Sequence, residues 1–571
     1  MPGGVHVLSR RWAGTPVEEL THPGGSRAVA ASGGAVRQSR YRPHVLSLAS
    51  GALLATAGPP TNLLPALWLG MAGLAWALEE EPGWPAFASR ARVALTGARR
   101  GLAFGFAANL IALRFIPVTI TRFTPLPWAV GIVALALLAA FEGLRWMVAA
   151  IACETLVRAR VPRPVAFAAG VYAGTFVPTM IPWTVAGGVS PWPAMVQLAD
   201  VIGERGVVAV MALAAGLLAA GTRSFVARAQ QSGAGAREVV ERATRPRAVA
   251  YAAAAALIVG AQAGYGAVRL AQVEAARDVA PTARVALLQP SVAASTRWDE
   301  DRAPAILGEL TALTARAQAT GAELVVWPEA AYPYRLVHGT RRDPGGARGI
   351  VGPGSHVPVI TGLLLTGAED GAAFNSVLLA APDGTLSASY DKRHLLWFGE
   401  TVPLADHMPW LRHVFARGLG LAPGDAEVAL AAGPVRAAIL VCYEDVLPAA
   451  GREAASVAPD LLVNVTNDAW FTGTQESELH LRMSILRSVE LRRDMVRAVN
   501  GGVPSWVDAA GRVRARGPSD FAAIVDARPA LLDGAPTFYA RFGDAPWALL
   551  ALLLANLAVW RRATGSGPSA P

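Results

Sequence analysis

The sequence predicts two parts in one chain: a helical part crossing a membrane several times, and a soluble α/β domain set between its last two spans. Three observations predict this. Apolar residues crowd into the first half and the extreme end of the chain instead of being spread evenly. Arginines collect in alternate loops between those apolar runs. From Asp278 onward, short runs of branched residues alternate with helical periodicity.

Composition excludes several classes. A chain of 571 residues that is 53% hydrophobic and only 16% charged, with a mean hydropathy of +0.36, is too apolar for one soluble enzyme. A net charge of +9 raises the question of nucleic acid. No aromatic-basic stripe accompanies the arginines, however, and membrane topology accounts for them better, so no nucleic-acid partner is expected. Two cysteines give no disulfide scaffold or zinc site, and the histidines show no ligand spacing, so neither metal nor cofactor is expected.

In chain order, residues 1–44 carry Gly, Ser, Pro and several arginines without apolar period, and read as a disordered basic cytoplasmic arm. Apolar runs at 45–57 and 63–78 are split by Gly58-Pro59-Pro60-Thr61-Asn62. Each is short for a span of ~20 residues. Counted as two spans, they leave Arg90, Arg92, Arg99 and Arg100 inside, as the positive-inside rule prefers. Further spans are expected at 101–116, 128–149, 164–182, 205–221, 248–267 and 545–560, about eight in total, with 45–270 as a seven-span domain. Arg158, Arg160 and Arg163 then share a side with Arg223, Arg228, Arg237, Arg242, Arg245 and Arg247, and with Arg561 and Arg562 in a cytoplasmic tail at 561–571. Only Arg122 and Arg205 fall in the opposite loops. This bookkeeping puts 278–540 on the outer face, the periplasmic side of a bacterial inner membrane.

Within 278–540, strands are expected at 284–289, 323–327, 357–365, 374–381, 435–441, 461–465 and 522–525. Helices are expected at 300–319 and 476–494, the second with Leu479, Met483, Leu486 and Val489 at helical spacing. The glycine-rich stretch 339–354 reads as a mobile loop.

Three strand ends carry chemistry. The run Ile439-Leu440-Val441 breaks off at Cys442-Tyr443-Glu444-Asp445, placing a thiol where the backbone leaves the sheet. Glu323-Leu324-Val325-Val326-Trp327-Pro328-Glu329 ends in a carboxylate, and Tyr390-Asp391-Lys392-Arg393-His394 carries a lysine. All three could converge at one sheet edge. A free thiol, with a pKa of ~8.5, needs a base or a cation nearby to act as a nucleophile. Each residue also has a plain reading: Cys442 as a packed thiol, Lys392 as a solvated turn charge, Glu400 as a loop acid, Trp298 and Trp470 as packing residues. Cys153 reads as an apolar filler, His480 as structural, and His394 as at most a pocket residue.

Together with Phe398-Gly399-Glu400 and Asn467-Asp468-Ala469-Trp470-Phe471, these blocks resemble the apolipoprotein N-acyltransferase family, the membrane-embedded branch of the Glu–Lys–Cys nitrilase superfamily. The motif resemblance covers about 289–508; the part before it is similar in layout and around Ile181-Pro182-Trp183 and 197–208. The resemblance implies a four-layer α-β-β-α sandwich. It implies Cys442 as nucleophile, Glu329 as general base and acid, and Lys392 with the Tyr443 N–H as oxyanion stabiliser. Glu400 and Glu444 would support them, Trp298 and Trp470 would line the substrate entrance, and Leu395-Leu396-Trp397-Phe398 would form a lid. The implied partners are a phospholipid acyl donor, a diacylated apolipoprotein acceptor and the bilayer. Trp397, Thr472, Gly501 and Trp506 depart from the family pattern in substrate-facing loops. Two other readings stay open. One is a membrane-tethered amidase with water as acceptor. The other is a non-catalytic scaffold or transporter, against which the scarcity of charge within the spans and the absence of internal duplication both argue.

Overall fold

The computed structural model describes residues 28–79, 90–230, 237–368, 371–402, 405, 407–410 and 420–564. The chain divides into Met1–Pro43 and His44–Pro571. Of the arm expected to lack structure, 28–44 lie in a helix, α1 (Ala28–Ala55), and 1–27 lie outside the described residues.

Each expected span falls at least partly on helix. After α1 come α2 (Ala66–Glu79), α3 (Arg90–Ala112), α4 (Ile116–Phe123), α5 (Trp128–Arg158), α6 (Arg163–Gly174), the short α7 (Val185–Val189), α8 (Ala199–Gln230) and α9 (Arg237–Val279). Three described helices are long and apolar enough to cross a membrane: Trp128–Arg158, Ala199–Ser224 and Pro246–Val279. The bent pair Arg92–Ala112 and Ile116–Arg122 makes a fourth if counted as one span. The expected span at 164–182 is helical only to Gly174; its second half turns through Pro178 and Pro182. The apolar faces of these helices are not all covered by protein. Leu137, Val133 and Leu257 stand exposed on the apolar stretches of α5 and α9. Such surface is stable against lipid and costly against water.

Helix α9 continues past the expected span to Val279 and feeds directly into the α/β domain. There, β1 (Val285–Gln289), β2 (Leu324–Val326), β3 (Arg335–Val337), β4 (Val359–Thr366), β5 (Ala373–Ala380), β6 (Tyr390–Asp391) and β13 (Ala523–Ala527) form one sheet in the order β13-β1-β2-β4-β5-β6, with β3 on β4. The second sheet runs β12-β11-β10-β9-β8-β7, built from β7 (Ala429–Ala432), β8 (Val435–Val441), β9 (Leu461–Asn467), β10 (Asp494–Asn500), β11 (Ser505–Val507) and β12 (Val513–Arg516). Alternation along the strands explains the layering. Leu324 and Val326 face the second sheet, where they meet Ile439, Val441 and Val463, while Val325 and Trp327 face α10 (Ala303–Ala319). On the far side, α11 (Pro448–Ala455) and α12 (Glu476–Leu491) cover the second sheet. The result is the α-β-β-α sandwich. The short α13 (Phe538–Phe542) and the longer α14 (Ala545–Thr564) end the described chain.

Two expectations need correction. The helix expected at 476–494 stops at Leu491, because Arg492 turns left-handed (φ 53°) and the chain enters β10. The loop at 339–354 is tied down: the Asp343 carboxylate accepts N–H bonds from Gly345, Ile350 and Val351, and Ile350 is buried.

Helix α12 is buried on every side. One face packs on the sandwich and the other meets the apolar helices, where Met483, Leu486 and Val489 join Leu67, Val185 and Val207 in one cluster. Arg487 reaches Glu204 of α8 at 2.8 Å, and Arg492 reaches Asp200 at 2.8 Å. The two parts are therefore locked through buried ion pairs as well as apolar packing.

Candidate active site

Cys442, Glu329 and Lys392 come together at the ends of β8, β2 and β6, on the edge where both sheets release their loops. Cys442 sits at φ 54°, in the left-handed region that a side chain other than glycine rarely adopts. This bends the backbone sharply out of β8 and leaves the thiol half-buried rather than packed away. The elbow is held from two sides. The Asn464 amide donates to the carbonyls of Leu440 and Cys442, each at 3.1 Å, and the Val441 N–H donates to Glu444 at 2.8 Å.

Lys392 is buried, with Nζ 2.8 Å from Glu400 Oε2 and 3.6 Å from Glu329 Oε1. Its ammonium also lies 5.4 Å from the centre of the Tyr443 ring. A single amide spans both acids: Asn375 Nδ2 on β5 donates to Glu329 Oε1 and to Glu400 Oε1, each at 2.7 Å. Glu329 Oε2 accepts the Asn467 N–H at 2.9 Å, and Glu400 Oε2 accepts the Leu396 N–H at 2.9 Å. Glu444, fully buried, binds the lysine loop to the cysteine elbow by accepting the Tyr390 hydroxyl at 3.0 Å and the N–H groups of Arg393 and His394 at 2.9 and 3.0 Å. Four donors on one carboxylate explain why an acid can be buried there.

The charges follow. Burial pushes the Glu329 carboxyl up, and the Lys392 ammonium and the two N–H donors pull it back. Lys392 is held well above its usual range: burial opposes its charge, but Glu400 and Glu329 outweigh it. Burial and the Glu329 carboxylate raise the Cys442 thiol, against the pull of Lys392. The resting sulfur is thus a neutral thiol, not a standing thiolate.

Most of the sequence-predicted residues converge here. Glu329, Lys392, Cys442, Glu400, Tyr443 and Glu444 form one cluster. Trp298 stands 39% exposed under the Arg297 guanidinium, 4.8 Å from its ring centre. Trp470 lies in the turn after β9, half-buried, next to Phe471, which packs on Phe115 of the helical part at 5.5 Å. His394 turns away to Glu453 at 2.9 Å. Asn375, Asn464 and Arg297 were not expected. Arg297 donates to the carbonyls of Ala330 and Tyr332, fastening the turn behind Glu329. For Asn375 and Asn464 the readable signal was a polar residue inside an otherwise apolar strand, which must find partners once buried.

Two family models match the chain: the apolipoprotein N-acyltransferase N-terminal domain over residues 50–217, and carbon-nitrogen hydrolase over 350–537. The apolipoprotein N-acyltransferase of Geobacter metallireducens is 30% identical over 523 residues, covering 89% of this chain and 94% of that one. The chain belongs to the apolipoprotein N-acyltransferase family. Members from Allorhizobium ampelinum (30% identity; 83% of this chain, 87% of that one) and Bradyrhizobium diazoefficiens (34%; 56% and 60%) are similar as well. Among solved structures, an amidase from Nesterenkonia sp. is similar at 17% identity, covering 47% of this chain and 95% of that one, with a TM-score of 0.33.

The departures from the apolipoprotein N-acyltransferase pattern can now be placed. Trp397 is half exposed at the tip of the loop between Lys392 and Glu400, and Phe398 beside it takes φ 63°. The Thr472 carbonyl accepts Arg122 of α4 at 2.6 Å, so this turn is docked on the helical part. Gly501 (φ 70°) lies so close to Ala469 that a Cβ would fall 2.8 Å from its Cα, so a side chain here would force the Ala469 backbone to move. Trp506 donates to Asp494 at 2.9 Å, away from the cluster.

Proposed function

We propose that this membrane acyltransferase moves a fatty acyl chain from a phospholipid to the free N-terminal amine of a diacylglyceryl-cysteine on an apolipoprotein, through a thioester on Cys442. The observation that carries the reading is the convergence of Glu329, Lys392 and Cys442 at a sheet edge that opens beside exposed apolar side chains.

Glu329 takes the S–H proton as the sulfur attacks the donor ester carbonyl. The tetrahedral oxyanion rests on the Lys392 ammonium and the Tyr443 N–H. The ester C–O bond breaks, the departing lysophospholipid oxygen receives the proton from Glu329, and the acyl group stays on sulfur. The incoming amine then attacks the thioester. Glu329 accepts its proton, the C–S bond breaks, and the sulfur regains a proton from Glu329. Asn375 and Glu400 hold the base and the ammonium in place; Trp298 and Trp470 line the approach. The tip residues Leu395 to Phe398, with Trp397 and Phe398 outermost, dip into lipid and shield the thioester from water.

Eight spans, with 278–540 on the periplasmic side of the inner membrane, fit the arginine distribution and put the cluster at headgroup level. The test is mass spectrometry of purified protein after incubation with phospholipid. The expected result is a fatty acyl adduct on Cys442, lost in Cys442→Ser and below a hundredth of wild type in Glu329→Gln. Adding a diacylated lipopeptide should clear the adduct and yield a triacylated product. Release of free fatty acid alone would make the protein a hydrolase, and an unlabelled Cys442 would end the reading.

A further inference from the structure

Next to Cys442 lies a second charged array that the reaction above does not use. His480 of α12 is buried with both ring nitrogens facing carboxylates: Nε2 is 2.8 Å from Asp445 Oδ1 and Nδ1 is 3.3 Å from Asp468 Oδ1. Asp445 also accepts Arg497 Nε of β10 at 3.0 Å. With a carboxylate facing each ring nitrogen, the imidazole is held in its charged form, which donates to both. The array then reaches the site. Asp468 Oδ1 accepts the Thr466 hydroxyl at 3.0 Å, and the register that pairs Val465 with Val441 sets Thr466 beside Cys442, where its hydroxyl acts on the thiol. Thr466 has one proton for two neighbours.

We propose that His480 is a positioning residue for Cys442: clamped between Asp445 and Asp468, its positive charge offsets Asp468 and frees the Thr466 hydroxyl to donate to the sulfur as the thiol proton leaves. The inference rests on the reading of Cys442 as the nucleophile. Without the imidazolium, Asp468 would keep the hydroxyl proton and turn an uncompensated negative charge toward the sulfur. The two near carboxylates would stand against Arg497 alone. The groups facing this chain of contacts are Asp445 and Arg497 from the second sheet and its turn, Glu476 from α12 itself, and Glu329 and Lys392 across the sulfur. Asp468 already acts to raise the thiol, and the Thr466 hydroxyl acts to lower it, so losing His480 should shift thiolate formation to higher pH.

The test uses the full-length protein in detergent, with Cys153→Ala so that only Cys442 reacts. Its alkylation rate with iodoacetamide is followed against pH. His480→Gln should move the midpoint up by about one pH unit, slowing alkylation roughly tenfold at a fixed pH below it. Thr466→Val should move it the same way, and the double variant should be no worse than the single ones, since both act through one contact. Adding Asp468→Asn to His480→Gln should bring the midpoint back toward wild type, which repacking alone would not do. An unmoved midpoint in Thr466→Val, additive effects in the double variant, or no recovery with Asp468→Asn would overturn the proposal. The alkylation assay needs no lipid. If wild type forms no thioester with a bacterial phospholipid extract while these shifts hold, the acyl-transfer reading fails and this one stands.

Discussion

Asn375 shows how much one residue can decide. Its amide is shared between the base and the acid that holds the lysine, so it favours the ionised form of Glu329. In the proposed reaction Glu329 must be ionised to accept the thiol proton, and burial has already raised it, so activity should fall on the acid side above the ordinary carboxylate range. Asn375→Leu removes a donor to the charged form and should move that limb to still higher pH, with a roughly tenfold to hundredfold loss of acyl transfer. A pH profile of thioester formation checks this; an unshifted limb would mean that the amide only packs. Glu329, Lys392 and Cys442 were legible in the sequence because each follows a strand abruptly. Asn375 was not, because inside a strand an asparagine looks like a weak β-former until its neighbours are known.

At the scale of elements, the cluster depends on how closely two strands approach. Gly362 on β4 lies under the turn that carries Glu329. A Cβ there would meet the Pro328 carbonyl oxygen at 2.5 Å and Glu329 Cα at 2.7 Å, and these are backbone atoms that cannot step aside. Gly362→Ala should therefore displace Glu329, costing ~1–3 kcal/mol of stability and most of the activity. A melting curve alongside the thioester assay separates the two effects. The tip loop should behave in the opposite way. Trp397→Ser with Phe398→Ser changes two exposed side chains, so the melting temperature should hold while transfer from vesicle-borne phospholipid falls several-fold; an unchanged rate would remove the lid from the mechanism. The strands missing from the sequence reading were mostly short or carried buried charge. β10 carries Arg497, fully buried against Asp445, and a charge in mid-strand reads from sequence as a solvated position.

For the molecule as a whole, α12 is the keystone between the sandwich and the helices. Arg487 is buried there between Glu204 and Glu490, at 2.8 and 3.0 Å. Arg487→Met would leave two acids buried without their cation and should cost ~3–5 kcal/mol, read as a large fall in melting temperature. Orientation is a separate matter. With both native cysteines replaced, Asp383→Cys on the exposed outer surface of the domain should react with a membrane-impermeant maleimide in intact spheroplasts. Labelling only after lysis would turn the domain to the cytosol and break the proposed link to periplasmic substrates.

By itself, the sequence determined the division into apolar helices and α/β domain, the core strands, and which three side chains stand at strand ends. These follow from local periodicity and composition, which each stretch carries without help. Only the tertiary structure decided that those ends meet, that Asn375 and Thr466 belong to the site, that the arm helix begins by Ala28, and that α12 stops at Leu491. Such features come from contacts between residues far apart in the chain. There, the need to pair a buried charge or fit a close backbone overrides what any single stretch prefers.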